Sequence, residues 1–582
     1  MRWPLHTVIC LCAVPFAAVA VELAPVKING LDKKLEAHVR SAIALPEDAG
    51  KTLQITDGRL GYYMGTLNAL VEDSLEPMGF YDAQVDIRLA REGEAAQIII
   101  DIALGEPVRV RNSDLRVDGS GASDRVIGFW LEGFEPSVGD VFEHGVYEAS
   151  KADITKALLD RGYFEQRITE HQVNVTRASN SADINLAWDS GPRYRYGGLR
   201  FEGSSFVPGL LEQLVGFEPG QYYNQTQINR LQESLSKLGY FSSIQIVPDL
   251  DNKNDGSVPI IVSVTPAKQT SQYASLRYGT QSGFGVEYGV ERRWINASGH
   301  KINIDLAYAQ NERSVTALYR IPAFGWLDGW YGFGITAREE DFFNVPTSYV
   351  ELFGNRSGEY RGWELLAALK LRRERFDEAV PDYDPGETVA VYTSTFYPEL
   401  KGFWRSNVDN YPDSGSAWRL MARTGYEFES ADALFVQAYA MNRRIYSFGT
   451  GNRILLRGEL GALATQNYEY FPTSLRFYAG GADSVRGYAF RELGVYVGDS
   501  NFGGRYLATA SVEYERLILP EWAVAGFVDA GDAFDTSPQV NLGAGVGARW
   551  RSPIGPVRLD LAYGFDGPEP GYAIYFSLGS DL

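Results

Sequence analysis

The segment from Gln272 to Leu582 consists of successive stretches of roughly ten residues in which polar and apolar side chains alternate. A period of two is typical of β-strands whose two faces meet different surroundings. Charge on one face and aliphatic or aromatic side chains on the other predict a wall between water and lipid, whereas a soluble sandwich would expose few aromatic residues. In two examples, Ile302, Ile304, Leu306 and Tyr308 alternate with Asn303, Asp305 and Ala307, and Val557, Leu559, Leu561 and Tyr563 alternate with Arg558, Asp560 and Ala562.

No stretch after residue 20 approaches the run of about 18 apolar residues that a membrane helix needs. A closed barrel is the other way to satisfy every backbone polar group in lipid, so the alternation predicts a transmembrane β-barrel. We expect about eleven strands before Gly480 and five after it, sixteen in all, although residues 377–411 are ambiguous. The last five are predicted at Arg505–Leu517, Ala523–Gly531, Asn541–Trp550, Pro556–Phe565 and Gly571–Leu578.

Between Val21 and about Lys268 one pattern occurs three times: a short strand, two helical stretches, a glycine followed by two aromatic residues, and two alternating strands. A spacing of about 80 residues suits a small domain repeated in tandem. We predict three β-α-α-β-β domains at 21–107, 108–193 and 194–268, and a barrel at 269–582. The repeated marks are Gly79-Phe80-Tyr81, Gly162-Tyr163-Phe164 and Gly239-Tyr240-Phe241, with Gly-Phe-Glu-Pro starting at Gly133 and Gly216.

The first 20 residues predict a secretory signal: Arg2 precedes an apolar run, and the segment ends in Ala18, Val19 and Ala20. Both cysteines, Cys10 and Cys12, lie in this segment, so we expect a mature chain that begins at Val21 and has no thiol or disulfide. The formal net charge of −20 argues against nucleic acid, because phosphate binding needs a basic face. Eight of the eleven tryptophans lie at or after Trp294, which favours aromatic girdles around the barrel.

A glycine-rich loop from Gly480 to Tyr488 carries Val485, Arg486, Gly487 and Tyr488 at its end. Strand alternation places Asp529 on the same face as Ala525 and Phe527, so its carboxylate is expected in the barrel lumen. Arginine suits a latch between the loop and such an acid, because its planar guanidinium holds a carboxylate through two parallel hydrogen bonds. We predict that Arg486 pairs first with Asp529 and second with Glu513 on the preceding strand, although a purely structural salt bridge is the alternative.

With three such repeats, a barrel of about sixteen strands and this loop after the eleventh, the chain resembles the Omp85 superfamily, whose repeats are periplasmic POTRA domains. The superfamily's loop motif falls on Val485, Arg486, Gly487 and Tyr488, and its motif on the thirteenth strand falls on Gly526, Asp529 and Gly531. Three repeats and this total length are similar to the outer-membrane subunit of a translocation and assembly module. One departure is the ending Gly579 to Leu582, since many outer-membrane barrels end in Phe.

The resemblance implies assembly of outer-membrane proteins and autotransporters in a Gram-negative outer membrane, with no cofactor. We expect a weak seam between the first and last strands, which an incoming client strand could pair with once it opens. The POTRA-like domains would hold unfolded clients or a periplasm-spanning partner anchored in the inner membrane. The seam residues are predicted to be Tyr273, Ser275 and Arg277 on the first strand, and Gly571, Tyr575 and Ser577 on the last.

Two other classes of function are weighed against this one. A two-partner secretion pore exports one dedicated passenger, and it usually carries two POTRA-like units behind a plug helix; deletion would then affect one secreted protein rather than many membrane proteins. An enzyme is disfavoured because no Gly-x-Ser-x-Gly elbow occurs and the five histidines are scattered beyond metal-binding spacing. Gly50, Lys51 and Thr52 imitate the end of a phosphate loop, but Leu45 replaces the required upstream glycine.

Overall fold

The protein is described by a computed structural model that covers residues 20–43, 53–92, 95–254, 256–279, 283–324, 328–342, 345–379, 388–409, 411–552, 555–567 and 570–578. Residues 1–19 of the predicted signal segment, the Gly50-Lys51-Thr52 sequence and the C-terminal residues after Leu578 therefore lie outside the described residues. The chain divides into two compact units, one formed by Met1–Arg200, Phe217–Arg230 and Ile246–Val262, the other by Phe201–Gly216, Leu231–Gln245 and Ser263–Leu582. Within the described residues, no helix is long and apolar enough to cross a membrane.

The first repeat contains one strand more than predicted. Thr56 ends this additional short strand and also caps the helix that follows, because its hydroxyl accepts from the Arg59 N–H. Leu67, Val71 and Leu75 of that helix pack on the sheet. The elements are β1 (Ala20–Asn29), α1 (Lys33–Ile43), β2 (Leu53–Thr56), α2 (Asp57–Leu75), β3 (Gln84–Glu92) and β4 (Ala95–Ala103), with sheet order β2-β1-β4-β3.

The second repeat follows the predicted order, with both helices present. Asp124 caps the first helix by accepting from the Val126 N–H. Trp188 and Tyr163, fully enclosed, anchor the core between helices and sheet. The elements are β5 (Arg109–Asp118), α3 (Arg125–Glu132), α4 (His144–Asp160), β6 (Arg167–Thr176) and β7 (Ser181–Asp189), with sheet order β5-β7-β6.

In the third repeat the first predicted helix is replaced by a single 3₁₀ turn, Glu212–Leu214. Gly209 has a left-handed φ of +86° and Val215 is extended, so the segment between them is too short for an α-helix. The predicted glycine ends are confirmed in all three repeats, because Gly79, Gly162 and Gly239 have positive φ angles. The elements are β8 (Arg195–Glu202), α5 (Gln225–Lys237), β9 (Phe241–Pro248) and β10 (Ser257–Pro266), with sheet order β8-β10-β9.

The C-terminal part forms one sixteen-stranded antiparallel sheet, eleven strands before the Arg486 loop and five after it, as predicted. Each strand pairs with the next strand of the sheet along the chain. Between β21 and β24, which pair with each other, lies the loop, which contains a small hairpin of β22 (Tyr496–Val497) and β23 (Ser500–Asn501). The strands are β11 (Thr270–Gly279), β12 (Gly283–Arg292), β13 (Lys301–Ala309), β14 (Glu312–Ala323), β15 (Asp328–Phe342), β16 (Val345–Tyr360), β17 (Trp363–Ala379), β18 (Thr388–Arg405), β19 (Gly415–Glu427), β20 (Ala433–Phe448), β21 (Asn452–Thr465), β24 (Tyr506–Leu519), β25 (Trp522–Phe534), β26 (Asn541–Ser552), β27 (Gly555–Gly564) and β28 (Gly571–Leu578).

The alternation predicted for the strands separates two faces of the sheet. On β25, Val524 and Val528 are exposed, whereas Phe527 and Asp529 are buried. Tryptophans cluster at the end of the barrel where β11 begins: Trp363 pairs with Trp404, which pairs with Trp418, and Trp522 pairs with Trp550. The outward face is thus apolar with an aromatic end, as a lipid-facing surface requires.

Candidate functional site in the barrel lumen

The loop between β21 and β24 folds into the lumen, and a tight turn within it carries the Arg486 motif. Gly480 and Gly481 both have φ near +100°, a conformation that suits glycine, and a Cβ at position 480 would lie 2.3 Å from the Ala489 carbonyl oxygen. The Gly481 N–H donates to the Tyr488 carbonyl at 2.9 Å, which closes the turn. Val485 and Tyr488 are fully buried in the apolar part of the loop core. The glycine-rich sequence therefore presents Arg486 from a packed turn.

Arg486 is enclosed by acidic side chains of three strands. Its Nε and Nη2 donate to the two oxygens of Asp529 at 2.7 and 3.0 Å, the bidentate geometry that favours arginine. Nη1 donates to Glu513 at 2.6 Å and to Asp560 at 3.3 Å, and Nη2 also reaches the Ser511 hydroxyl at 3.3 Å. Every named partner is buried, so removal of the guanidinium would leave uncompensated charge in the wall.

A second arginine, Arg549 of β26, completes the cluster. It donates to Glu513 and to Asp560, at 2.6 Å each, and to Glu515 at 3.2 Å. Glu515 in turn pairs with Arg453 of β21. Shared carboxylates thus link Arg486 to Arg549 and, through Glu515, to Arg453 in a continuous network, which is worth more than its isolated pairs.

The aromatic ring of Phe527 forms the floor of the site. Its centroid lies 3.4 Å from the guanidinium carbon of Arg486, so the cation stacks on the ring while its edges donate to carboxylates. Phe527 faces the lumen two residues before Asp529 on β25, and its register partner on β24 is Glu513. The strand period of two therefore delivers both contacts to the lumen.

The backbone of the motif lies on a row of glycines that runs across the last three strands. Gly543, Gly564 and Gly571 are partners in register on β26, β27 and β28. A Cβ at position 543 would lie 1.8 Å from the Arg486 carbonyl oxygen, and one at position 564 would lie 2.8 Å from the Gly487 carbonyl oxygen. The loop backbone comes this close to β26 and β27 because positions 543 and 564 carry no side chain.

The same loop also contacts strands β15, β16 and β17. Arg491 donates to Glu340 of β15 at 2.8 Å, and the Ser474 N–H donates to Glu374 of β17 at 3.1 Å. Thr473 and Thr347 exchange a hydrogen bond of 3.1 Å. Two sets of contacts on separate strands therefore hold the loop inside the barrel.

The structure brings most of the predicted loop residues together. Arg486, Asp529 and Glu513 are in direct contact, whereas Gly526 faces outward with open space around its Cα. At Gly531 a Cβ would lie 2.6 Å from the Ala508 carbonyl oxygen, so its role is close strand packing. Of the predicted seam residues, Tyr575 is buried and Ser577 borders the lumen beside Arg558. The side chain of Arg277 lies outside the described part of the chain.

Sequence reasoning missed Arg549, Asp560 and Ser511 as partners of the site. The available signal was the series Gly543, Gly545, Gly547 and Arg549, which leaves the inward face of one strand empty before placing a cation there. At position 547, a Cβ would lie 2.0 Å from Asp560 and 2.5 Å from Arg549. These glycines make room for the ion-pair network.

Ion pairs with arginine account for the acidic side chains of this cluster. Among the residues that the structure describes, no group of three or more His, Cys, Asp or Glu could hold a metal ion. The acids around Arg486 are occupied by arginines rather than left open to a ligand. The cluster binds the loop to the barrel strands through ionic and hydrogen-bond contacts.

A sixteen-stranded antiparallel barrel preceded by small α+β repeats, with a loop bound inside it, defines an outer-membrane barrel with periplasmic domains. Three family models match the chain: the Omp85 superfamily domain at 295–582, the POTRA model described as surface antigen variable number repeat at 194–267, and the POTRA domain TamA domain 1 at 25–104. The chain belongs to the Omp85 superfamily. Its barrel lies in the outer membrane and its POTRA domains lie in the periplasm.

Curated relatives carry the description outer membrane protein assembly factor BamA. The protein from Nitratidesulfovibrio vulgaris is 22% identical over 95% of this chain and 72% of its own length, and the one from Neisseria meningitidis serogroup B is 21% identical over 80% and 77%. The crystal structure of BamA from Haemophilus ducreyi lacking POTRA domains 1–3 matches 81% of this chain and 99% of its own, with a TM-score of 0.64 and 16% identity. The solved structure therefore supports the fold. The named relatives are assembly factors rather than enzymes.

Proposed function

We propose that this protein inserts β-barrel proteins and autotransporters into the outer membrane by opening a seam between β11 and β28. The observation that carries the proposal is the pairing of the sheet: within the described residues, ladders run unbroken from β11 to β28, and none joins β28 back to β11. Both edge strands are short, with 10 and 8 residues against 18 in β18. A seam between two short strands that share no ladder in the described part of the chain is the junction of the sheet that opens most easily.

The driving force for insertion is hydrogen bonding of the client together with burial of its apolar face. An open seam presents unpaired N–H and C=O groups in lipid, where each costs several kcal/mol, roughly 4–8 on hydrocarbon scales. An extended client strand satisfies these groups by adding to the edge. No nucleotide is needed, since pairing and lipid contact supply the free energy.

The POTRA domains act as the receiving surface in the periplasm. The first sheet ends at β3 and the second at β6, and an edge strand can accept an extended client or partner segment. The match of residues 25–104 to the TamA POTRA model supports a role like that of TamA. The partner would then be TamB-like, anchored in the inner membrane and spanning the periplasm.

The seam is tested by cross-linking cysteines placed at Ser275 and Ser577. The predicted mature chain has no cysteine of its own, so only the introduced pair can react. A matched control places cysteines at Arg558 and Ser577, which are partners in the β27–β28 ladder and lock two strands that are already paired. We expect the first lock to stop client assembly and the second to leave it intact.

Mass spectrometry must confirm that each disulfide has formed before activity is compared. Client assembly at the wild-type rate with the β11–β28 lock closed contradicts lateral opening. Deletion of the chain should lower the levels of many barrel proteins and autotransporters; loss of one secreted protein alone points instead to export of a dedicated passenger.

We also propose that the Arg486 loop is a latch whose release accompanies insertion. Arg486→Lys keeps the positive charge but cannot hold Asp529 through two parallel bonds. We expect a folded barrel with impaired assembly, and a larger loss for Arg486→Ala. The control is Arg444→Lys on the outward face of β20. Full activity of Arg486→Ala refutes the latch.

A further inference from the structure

Tyr575 on the last strand binds the backbone of the loop motif through its hydroxyl. The Gly487 N–H donates to this hydroxyl oxygen at 3.0 Å, and the hydroxyl donates to the Tyr488 carbonyl oxygen at 2.6 Å. The side chain is buried, at 5% exposure, and packs beside Phe527 and Ala562. One phenol oxygen thus satisfies two successive polar groups of the loop, neither of which meets water.

The neighbouring strand, β27, binds the Arg486 side chain of the same loop motif. Asp560 of β27 is the register partner of Tyr575 and accepts from the Arg486 guanidinium at 3.3 Å. Two directly opposite, inward-facing residues therefore bind the side chain of Arg486 and the backbone of Gly487 and Tyr488. The loop is seated by β27 and β28 together.

β28 is an edge strand of the sheet, so the Tyr575 contact bears on how well the strand is held. Among the described residues, β28 has one ladder, to β27, and its other side has none. A strand with a single ladder is more easily disordered than one paired on both sides. For β28, the loop supplies the second attachment, through Tyr575.

We propose that Tyr575 is a positioning residue that couples the seating of the loop at Arg486 to the order of β28. When Arg486 leaves its carboxylates, Gly487 and Tyr488 withdraw from the Tyr575 hydroxyl, and β28 loses the attachment on its lumen side. By thermodynamic reciprocity, a client strand that pairs with a loosened β28 favours the released loop. The inference deepens the proposed function, on which it rests for the link to clients.

The experiment measures amide hydrogen exchange of residues 571–578 in the full chain in lipid vesicles, without client. We expect Tyr575→Phe and Arg486→Lys each to raise the exchange rate of β28 about five- to tenfold, since each removes buried hydrogen bonds. The double variant should exchange no faster than the faster single variant, because both changes break one coupled unit. Residues of β20, which has ladders on both sides, should be unchanged.

Tyr572→Phe is the matched control, because Tyr572 lies on the same strand and faces outward at 78% exposure. It should leave β28 exchange at the wild-type rate. Rates that multiply in the double variant, or an unchanged β28 in Arg486→Lys, overturn the coupling. No client is present in this experiment, so either of these outcomes overturns the coupling without contradicting the proposed assembly function. Conversely, if the β11–β28 disulfide fails to stop assembly, the exchange result is unaffected.

Discussion

The two edge strands of the barrel sheet differ in what holds them. On β28, Tyr575 is buried and bound to the lumen loop. On β11, Tyr273 is half exposed and donates to Asp305 of β13 at 2.7 Å, and Ser275 donates to Glu287 of β12 at 3.4 Å. The last strand is therefore fastened to the loop, whereas these two side chains of the first strand bind neighbouring strands.

The two sides of the seam are thus held differently even though both of its strands are short. Hydrogen bonds exposed to water contribute little, whereas breaking a buried hydrogen bond leaves polar groups without a partner. We infer that opening begins with movement of β11, and that β28 follows when the loop is released.

The largest effect is expected from Gly543→Ala. The new Cβ would lie 1.8 Å from the Arg486 carbonyl oxygen, so the loop must move and its ion pairs must break. We expect a loss of about 3–5 kcal/mol in the free energy of unfolding, measured by urea titration in vesicles, because buried charges lose their partners. The control is Gly526→Ala, because nothing lies within 4 Å of a Cβ at that position. Its free energy of unfolding should change by no more than about 0.5 kcal/mol. Equal stabilities for the two variants would show that the glycine row does not seat the loop.

Arg549→Met is expected to come next. It removes one cation from Glu513, Glu515 and Asp560 while Arg486 and Arg453 still neutralise part of their charge. We expect a loss of about 2–3 kcal/mol in the same titration. Arg516→Met, on the outward face at the end of β24, is the control. A loss no larger than that of the control would mean that Arg549 does not stabilise the cluster.

Tyr488→Phe should have a smaller effect. The Tyr488 hydroxyl donates to the Leu542 carbonyl at 2.8 Å and accepts from the Asp566 N–H at 3.1 Å. Loss of these bonds should cost about 1–2 kcal/mol and make the loop more accessible to protease. Tyr470→Phe, in the same loop, is compared with it. Unchanged protease resistance would argue that this hydroxyl does not hold the loop on the last strands.

Tyr273→Phe is expected to have the smallest effect, below about 0.5 kcal/mol, because its bond to Asp305 is half exposed. Tyr575→Phe, the counterpart on β28, should cost about 1–2 kcal/mol in the same assay. The ratio of these two losses measures the asymmetry directly. Equal losses would remove the distinction between the two edges.

Much of the architecture could be read from local patterns. The period of two along β24 and β25 predicted which face of each strand is buried, and it placed Asp529 and Glu513 in the lumen. The glycines after the helices of the three repeats predicted their left-handed ends. The missing helix of the third repeat was mispredicted because the apolar pattern around Leu211 and Leu214 does not reveal how few residues separate Gly209 from the extended Val215.

The three repeats, the number of barrel strands and the residues that face the lumen follow from local patterns, because these features depend on spacing within short segments. The folded barrel was needed to see that Arg549 and Asp560 join the Arg486 cluster, that Gly543 and Gly564 lie under the loop backbone, and that Tyr575 binds the loop. Asp560 lies 74 positions from Arg486 and Tyr575 lies 88 positions from Gly487, and the glycine contacts depend on the register of the strands beside the loop. Register and loop placement arise from the packing of the whole barrel, which no local pattern records.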